Sequence, residues 1–171
     1  MKSLFCIILL AITTTIYAQI DNGVVINGVT WATCNVGANT PEASGTLLAW
    51  LEAKNACESS GWRLPTRAEL ESLKNAGGAW TIQNGKTGYK FGNADNNIFL
   101  PAAGSRYSDG NLNCVGGSGN YWSGTPYPDN PNDTNNYTTN KGEAHFLFFA
   151  VGKVGLHVFV KIYGRSARCV R

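Results

Sequence analysis

The sequence predicts an α+β domain, because a hairpin near its start is followed by two helices and then by a series of short strands. The hairpin is indicated over 24–31, where an Asn-Gly pair separates two β-branched runs. Apolar residues recur at helical spacing over 46–57 and again over 67–76, which predicts the two helices. From Trp80 onward no further helix is expected, and short strand-like runs alternate with turn signals at Asn84-Gly85, Asp109-Gly110 and Gly116-Gly117. Helices first and strands afterwards are typical of α+β domains.

A capping box predicts where the second helix begins. Thr66 can accept a hydrogen bond from the amide of Glu69, while the Glu69 side chain reaches back to the Thr66 amide. Pro65 keeps Leu64 extended, because the proline ring clashes with a helical residue before it. The chain is therefore expected to turn between the two helices, and Gly77-Gly78 is expected to end the second one.

The first 18 residues have the features of a secretory signal peptide. Lys2 precedes an apolar run over 4–12, and Ile16-Tyr17-Ala18 provides a cleavage site. No later run approaches the roughly 18 to 20 apolar residues that a membrane-spanning helix needs. We therefore expect residues 1–18 to be removed and residues 19–171 to form a single domain. The expected location is the extracellular space or the cell surface, with the periplasm as the alternative.

Charge and composition argue against nucleic acid as a partner. The formal net charge of the chain is +3, and Lys2, which carries one of these charges, leaves with the signal peptide. Lysines and arginines are scattered, whereas a nucleic-acid-binding domain concentrates them in a strongly basic patch. The 20 glycines and the many small polar residues suit a loop-rich exported domain.

The cysteine count indicates disulfides. Removing Cys6 with the signal peptide leaves four cysteines, at positions 34, 57, 114 and 169. An even number in an oxidising compartment favours two disulfides over free thiols, and three pairings satisfy that count. Because no Cys-x-x-Cys spacing is present, we expect no zinc site.

Several motifs, in their order and spacing, resemble the Fibrobacter succinogenes major paralogous domain family of secreted bacterial proteins. They are Trp31-Ala32-Thr33, Ala53-Lys54-Asn55-Ala56-Cys57, Gly61-Trp62-Arg63-Leu64-Pro65-Thr66, Leu100-Pro101-Ala102-Ala103-Gly104, Tyr121-Trp122-Ser123 and the closing Gly164-Arg165-Ser166-Ala167-Arg168-Cys169-Val170-Arg171. This resemblance implies a C-type-lectin-like fold with mixed antiparallel sheets, paired terminal strands, two helices in the N-terminal half and a long loop excursion. It implies no particular activity.

The resemblance also favours one disulfide pairing. Cys57 is expected to bond to Cys169, which would join the first helix to the last strand. Cys34 and Cys114 stand where the family usually has other residues, so we expect them to pair with each other. Trp31, Trp62 and Trp122 are expected to support the core, since all three lie in the family's motifs.

The segment 105–141 is predicted to be the excursion and the main binding surface. It sets tyrosines among Gly, Ser, Asn and Asp, the mixture that antibody binding loops use. A loop of this length is usually functional or disordered, and a passive surface loop is the alternative interpretation. Within this segment we expect a ligand to contact Tyr107, Tyr127, Asp129, Asn130, Asp133 and Tyr137.

The segment 144–163 is apolar at both odd and even positions, where the family is commonly polar. Such strands are either covered on both faces or leave an apolar patch at the surface. We expect the strand region 156–160, with His157 and Phe159, to join the ligand-binding surface, and added core is the alternative.

No cofactor or metal is expected. The oxygen-rich run 129–136 could supply ligands to calcium, but it matches no EF-hand and also fits an Asx-rich turn. His145 and His157 have no nucleophile or carboxylate at a catalytic spacing. Glu69 and Glu71 point apart on a helix, so paired-carboxylate chemistry is not predicted.

The sequence therefore predicts an adhesin-like domain that binds a glycan or a surface protein and catalyses nothing. A structural subunit of a surface fibre or assembly is the first alternative. An enzyme on a scaffold like that of the formylglycine-generating enzymes is the second. Those enzymes use paired cysteines, whereas the cysteines here are expected to close the fold.

Overall fold

The computed structural model describes residues 22–128, 130 and 134–171. The predicted signal peptide, residues 1–18, lies outside this range, as do Asp129 and Asp133 of the expected binding surface.

The described residues form an α+β structure of short helices and mostly antiparallel sheets, as the sequence predicted. The helices are α1 (Trp50–Ser59), α2 (Arg67–Asn75) and α3 (Thr134–Thr138). The strands are β1 (Val24–Ile26), β2 (Val29–Trp31), β3 (Gly78–Gln83), β4 (Lys86–Gly92), β5 (Asn97–Pro101), β6 (Ser105–Arg106), β7 (Leu112–Asn113), β8 (Ser118–Tyr127), β9 (Glu143–Ala150) and β10 (Lys153–Val160). None of the described helices has the length and apolar character of a bilayer-spanning helix.

The two ends of the described chain are joined. The predicted hairpin forms between β1 and β2, and its Asn27-Gly28 turn has the positive φ angles that such turns need. Thr30 exchanges two backbone hydrogen bonds with Arg171, and the amide of Ala32 donates to the carbonyl of Cys169. We call the hairpin together with residues 164–171 the terminal frame.

A disulfide links Cys57 of α1 to Cys169 of the terminal frame, as the family resemblance implied. The two Cα atoms lie 5.6 Å apart, within the range that a disulfide spans. Both sulfur-bearing residues pack in one core cluster with Ala53 and Trp50. The bond therefore closes a loop of 112 residues and ties the first helix to the last segment.

The prediction of a second disulfide was wrong, because Cys34 and Cys114 are both free. Cys114 is exposed in a turn with φ +53°, and its thiol donates to Oδ1 of Asn113. The thiol of Cys34 instead lies 3.6 Å from Oγ1 of Thr33. Each thiol is thus engaged by the residue before it.

The helices begin where tertiary pairing and capping place them. The stretch before α1 was predicted to be helical from residue 46, but Leu48 forms two backbone hydrogen bonds with Arg165, which delays the helix to Trp50. The start of α2 follows the prediction. Thr66 accepts from the Glu69 amide, and Glu69 accepts from the Thr66 amide at 2.7 Å.

A three-stranded antiparallel sheet, ordered β8-β9-β10, separates two hydrophobic clusters. On one face of β9, Leu147 and Phe149 pack with α2 and with the sheet β3-β4-β5. On the other face, Ala144 and Phe146 pack with Trp50 in the second hydrophobic cluster. This explains why β9 is apolar at odd and even positions, since a central strand is covered on both sides.

Strand β10 is different, because it lies at the edge of that sheet and, within the part of the chain that the structure describes, pairs only with β9. Its apolar side chains are half-buried or exposed rather than fully covered. The two alternatives for the segment 144–163 therefore hold for different strands: β9 is core and β10 contributes to the surface.

The excursion 105–141 is more structured than predicted. Its centre is β8, a ten-residue strand in which Tyr121 and Trp122 are buried. Its last part contains the short helix α3, so the expectation of no helix after Trp80 was wrong. This part is held by two asparagines. Asn136 accepts from the buried Lys161 ammonium, and Asn140 caps α1 by accepting from the Leu51 amide at 2.8 Å. These contacts tie the described end of the segment to α1 and to the residue that follows β10.

Candidate ligand-binding surface

Four ring-bearing side chains lie near one another where the end of β10 meets the start of the excursion. We call Tyr107, His157, Phe159 and Tyr163 the aromatic patch. The ring of Tyr163 lies edge-on to both Tyr107 and Phe159, with centroids 5.6 and 5.0 Å apart. Tyr107 is 39% exposed and Phe159 is 38% exposed, so the patch offers large apolar area to solvent.

Tyr107 and Tyr163 meet because the backbones beside them are paired. Arg106 and Gly164 exchange two hydrogen bonds, of 2.9 and 2.8 Å, which places the following and the preceding tyrosine side by side. A Cβ on Gly164 would lie 2.9 Å from the Leu47 carbonyl oxygen and from the Arg106 side chain, so only glycine permits this approach. The Tyr107 hydroxyl also accepts from Asn113, which orients the ring.

His157 joins the patch through the sheet. It lies directly opposite Phe146 in the β9–β10 register, and its ring centroid is 5.8 Å from that of Phe146 and 5.6 Å from that of Phe148. Phe159 follows two residues later on the same face of β10, since side chains alternate along a strand. The imidazole therefore extends the aromatic patch along the sheet.

Arg165 lies beneath the aromatic patch and is only 4% exposed. Its guanidinium carbon is 3.7 Å from the ring centroid of Phe146 and 4.9 Å from that of Phe159. Nη1 donates to Asn120, whereas Nε is buried without an acceptor among the described residues. Burial lowers the pKa of Arg165 to about 10. The cation is thus held mainly by ring faces, which attract it electrostatically.

Tyr127 lies away from the aromatic patch. It is opposite Glu143 in the sheet, whereas Phe159 is opposite Ala144, so the two aromatic side chains project from opposite faces. The Tyr127 ring contacts His145 edge-on, with centroids 5.5 Å apart, and the residue is 49% exposed.

Tyr137 belongs to a third place, an open groove beside α1 and α2. The groove also contains Lys54 and Glu58, which form an ion pair of 2.9 Å, together with Arg63 and Thr125. Asn130 is exposed. The structure thus brings Tyr107, His157 and Phe159 of the expected binding residues together, and separates Tyr127 and Tyr137 from them.

Chemically, the aromatic patch is suited to contact and stacking. Flat ring faces supply apolar area, and tyrosine hydroxyls and the imidazole supply hydrogen bonds. Within residues 22–128, 130 and 134–171, no three His, Cys, Asp or Glu side chains cluster as metal ligands do. His145 is opposite Val158 in the register and His157 is opposite Phe146, which places the two imidazoles on opposite faces of the sheet.

Sequence reasoning missed two members of this site, Tyr163 and Arg165. Tyr163 is the last residue of the apolar segment 144–163, and Arg165 lies in the closing motif, Gly164–Arg171. Their alternation with Gly164 is the signal that could have found them, because alternate residues of an extended segment face the same side. This alternation could not predict that Gly164 pairs with Arg106.

Comparisons with known proteins add one finding. A family model described as the Lcl C-terminal domain matches residues 25–171, which is nearly the whole described chain. Searches of curated proteins and of solved structures found no match. The matched range contains β2 to β10, all three helices and residues 164–171 of the terminal frame. The chain therefore belongs to the Lcl C-terminal domain family.

Proposed function

We propose that this protein is an exported, adhesin-like domain that binds a glycan or a surface protein through the aromatic patch and performs no catalysis. The observation that carries the proposal is the ring chain Tyr107–Tyr163–Phe159, which is ordered by contacts yet left more than one third exposed at both ends. Exposed aromatic groups held in fixed positions are typical binding anchors, because little side-chain entropy is lost on contact.

The arrangement around the patch favours binding over simple core packing. Tyr107 is held by a hydrogen bond to its hydroxyl, and Phe159 and Tyr163 hold each other edge-to-face. The rings are therefore preorganised before any ligand arrives, which lowers the entropic cost of binding. Sugar rings present C–H faces that stack on such surfaces, and protein partners insert apolar side chains between them.

The finer assignments belong to this proposal as well. We infer a C-type-lectin-like fold related to the Fibrobacter succinogenes major paralogous domain family. Pairing of the chain ends, two helices before the long sheet and the Cys57–Cys169 bond all support it. We also infer export to the extracellular space or the cell surface, which the disulfide supports because such bonds persist in oxidising compartments.

A binding screen against glycans and bacterial or host surface proteins tests the proposal, run once with calcium and once with chelator. Phe159→Ala and Tyr107→Ala are each expected to weaken binding at least tenfold, with the melting temperature changed by only a few degrees. Ile82→Ala is the matched control, since Ile82 is 67% exposed on β3, outside the aromatic patch. Equal binding by all three variants would refute the assignment of this surface.

Two further variants measure how far the surface extends. Tyr127→Ala and Tyr137→Ala remove exposed or groove-lining rings that lie outside the aromatic patch. We expect both to bind more like the Ile82→Ala control than like Phe159→Ala. A loss of binding in Tyr127→Ala would indicate that the ligand contacts the opposite sheet face, and a loss in Tyr137→Ala would indicate that it contacts the groove.

A further inference from the structure

The outer edge of β10 is an unpaired hydrogen-bonding edge. β10 forms eight residue pairs with β9 on one side. On its other side, residues 153–159 make no backbone hydrogen bond with any other element among the described residues. Exposed strand edges of this kind readily pair with another chain.

The hairpin geometry indicates which groups face outward. A two-residue turn at 151–152 closes on the pair Ala150–Lys153. Such a closing pair is hydrogen-bonded, and the pattern alternates along an antiparallel ladder. The amide and carbonyl groups of Val154, Leu156 and Val158 therefore point away from β9.

This edge lacks the features that usually prevent edge-to-edge association. Between Val154 and Val160 there is no proline, no lysine, no acidic residue and no bulge in the β9 register. The β3 edge is less available for pairing, because the closing pair Gln83–Lys86 leaves Gly78, Trp80 and Ile82 facing outward and the Gly78 carbonyl already accepts from the Tyr89 hydroxyl. β10 is thus the longer and more apolar of these two edges.

We propose that two copies of this chain pair through their β10 strands, antiparallel and about a twofold axis at Leu156. The result is one continuous sheet of six strands, β8-β9-β10 followed by the same strands of the second copy in reverse order. This inference does not depend on the identity of a ligand, and it concerns a surface beyond the aromatic patch itself.

The outward-facing backbone groups select the register. With the axis at Leu156, the outward groups of Val154 pair with those of Val158 in the other copy, and those of Leu156 pair with their own copy, so all three outward-facing residues of 153–159 are used. An axis at His157, two residues along in register, would pair Val154 with Val160, whose carbonyl already accepts from the Tyr163 amide of the same chain. The axis at Leu156 is therefore favoured.

Pairing in this register has a consequence for binding. The twofold axis runs perpendicular to the sheet, so the aromatic patches of both copies lie on the same face. A repetitive ligand could then be held at two places at once, which raises its apparent affinity without any new contact.

The oligomeric state of the purified protein tests the pairing. Sedimentation velocity across a hundredfold concentration range is expected to show a dimer for the natural sequence and a monomer, half that mass, for Val158→Pro. Proline there deletes one outward amide and leaves the β9 ladder intact. Ile82→Pro is the matched control, because it deletes an outward amide from β3 and should leave the dimer unchanged. A natural-sequence protein that stays monomeric throughout overturns the proposal.

Cross-linking tests the register without relying on the proline variant. In a background with Cys34→Ser and Cys114→Ser, Leu156→Cys is expected to form a disulfide-linked dimer under mild oxidation. His157→Cys should cross-link much less. The opposite order would overturn the register at Leu156, and no cross-link from either would overturn the edge pairing. A monomer that still binds its ligand would refute this inference alone and leave the proposed function standing.

Discussion

Two buried arginines of the terminal frame, three residues apart in the chain, show how differently the interior of the frame and its contact with the aromatic patch are built. Arg168, in the terminal frame, is 1% exposed and donates to the carbonyls of Ala32, Thr33 and Phe99 and to Oδ1 of Asn35. Arg165, beneath the patch, has one hydrogen-bond acceptor among the described residues and otherwise lies against rings.

The difference teaches how to distinguish a structural arginine from one that belongs to a surface. Arg168 donates to four acceptors in two separate chain segments, residues 32–35 and Phe99, so it cannot be replaced without leaving buried carbonyls unpaired. Arg165 donates to one acceptor among the described residues, and its other neighbours are aromatic rings, some of which are exposed at the surface. Breaking each region in turn should therefore give very unequal losses of stability.

The largest loss is expected from Arg168→Met. This change removes the donors to Ala32, Thr33 and Phe99 and leaves their buried carbonyls without partners, each at a cost of about 1 to 3 kcal/mol. We expect the free energy of unfolding to fall by about 4 kcal/mol or more, measured by urea denaturation. Arg171→Met is the control, since Arg171 is exposed. Equal effects of the two substitutions would contradict the role given to Arg168.

The next largest loss is expected when Cys57 and Cys169 are both changed to Ala. For a loop of 112 residues the chain-entropy relation gives about 4.8 kcal/mol as an upper value, and we expect about 2 to 4 kcal/mol to be lost. Guanidinium denaturation without reductant measures it. Changing Cys34 and Cys114 to Ala instead should alter stability little, because both are free thiols. A comparable loss in that control would show that the unpaired cysteines stabilise the domain by other means.

A smaller, pH-dependent loss is expected from Glu69→Gln. Hydrogen bonds from Arg63 hold the pKa of Glu69 below its ordinary value, and the Thr66 amide adds to this effect. Because the folded-state pKa is the lower one, the stabilisation is complete above the unfolded pKa of about 4.3 and disappears as the pH falls through the folded value. At pH 7 we expect a loss of about 1 kcal/mol.

Thermal melts from pH 7 to pH 3 measure this effect. The difference between the natural protein and Glu69→Gln should shrink as the solution becomes acidic. Glu71→Gln is the control, since its ion pair with Arg67 spans 4.0 Å and both side chains are well exposed. A pH-independent difference for Glu69 would show that the amide fails to reproduce the cap for steric reasons.

The smallest change in stability is expected from Arg165→Met. Replacing a poorly paired buried charge by an apolar side chain of similar length is often neutral or stabilising, so we expect a change of less than about 1 kcal/mol. The contrast with Arg168→Met, measured in the same urea experiment, is the sharpest test of the comparison. A loss as large as that of Arg168→Met would show that Arg165 is a structural group after all.

Much of the local structure was predictable because it depends on neighbours in the chain. Asn27-Gly28 forms its turn through backbone preferences that only those residue types satisfy readily. Thr66 and Glu69 form their box within one helical turn. The bond between Cys57 and Cys169 was expected from family resemblance alone, and no local rule would have chosen that pairing over the other two.

The binding surface was predicted only in part, for an equally physical reason. Tyr107, His157 and Phe159 were expected to act together, and the structure brings them to one place. Tyr127 and Tyr137 were predicted from the same composition, but they lie outside the aromatic patch. Tyr127 is placed by β8, and Tyr137 by the segment that hydrogen-bonds to Lys161. Composition indicates which residues suit a surface but says nothing about which sheet face they reach.

The sequence by itself determined the α+β class, the first hairpin and the start of the second helix, since each depends on spacings of a few residues. Only the tertiary structure decided that β9 is central and β10 is an edge, although both strands have similar apolar patterns. A strand's place in a sheet depends on partners that are distant in the chain, and the period-two pattern of its side chains does not encode how many neighbours it will have.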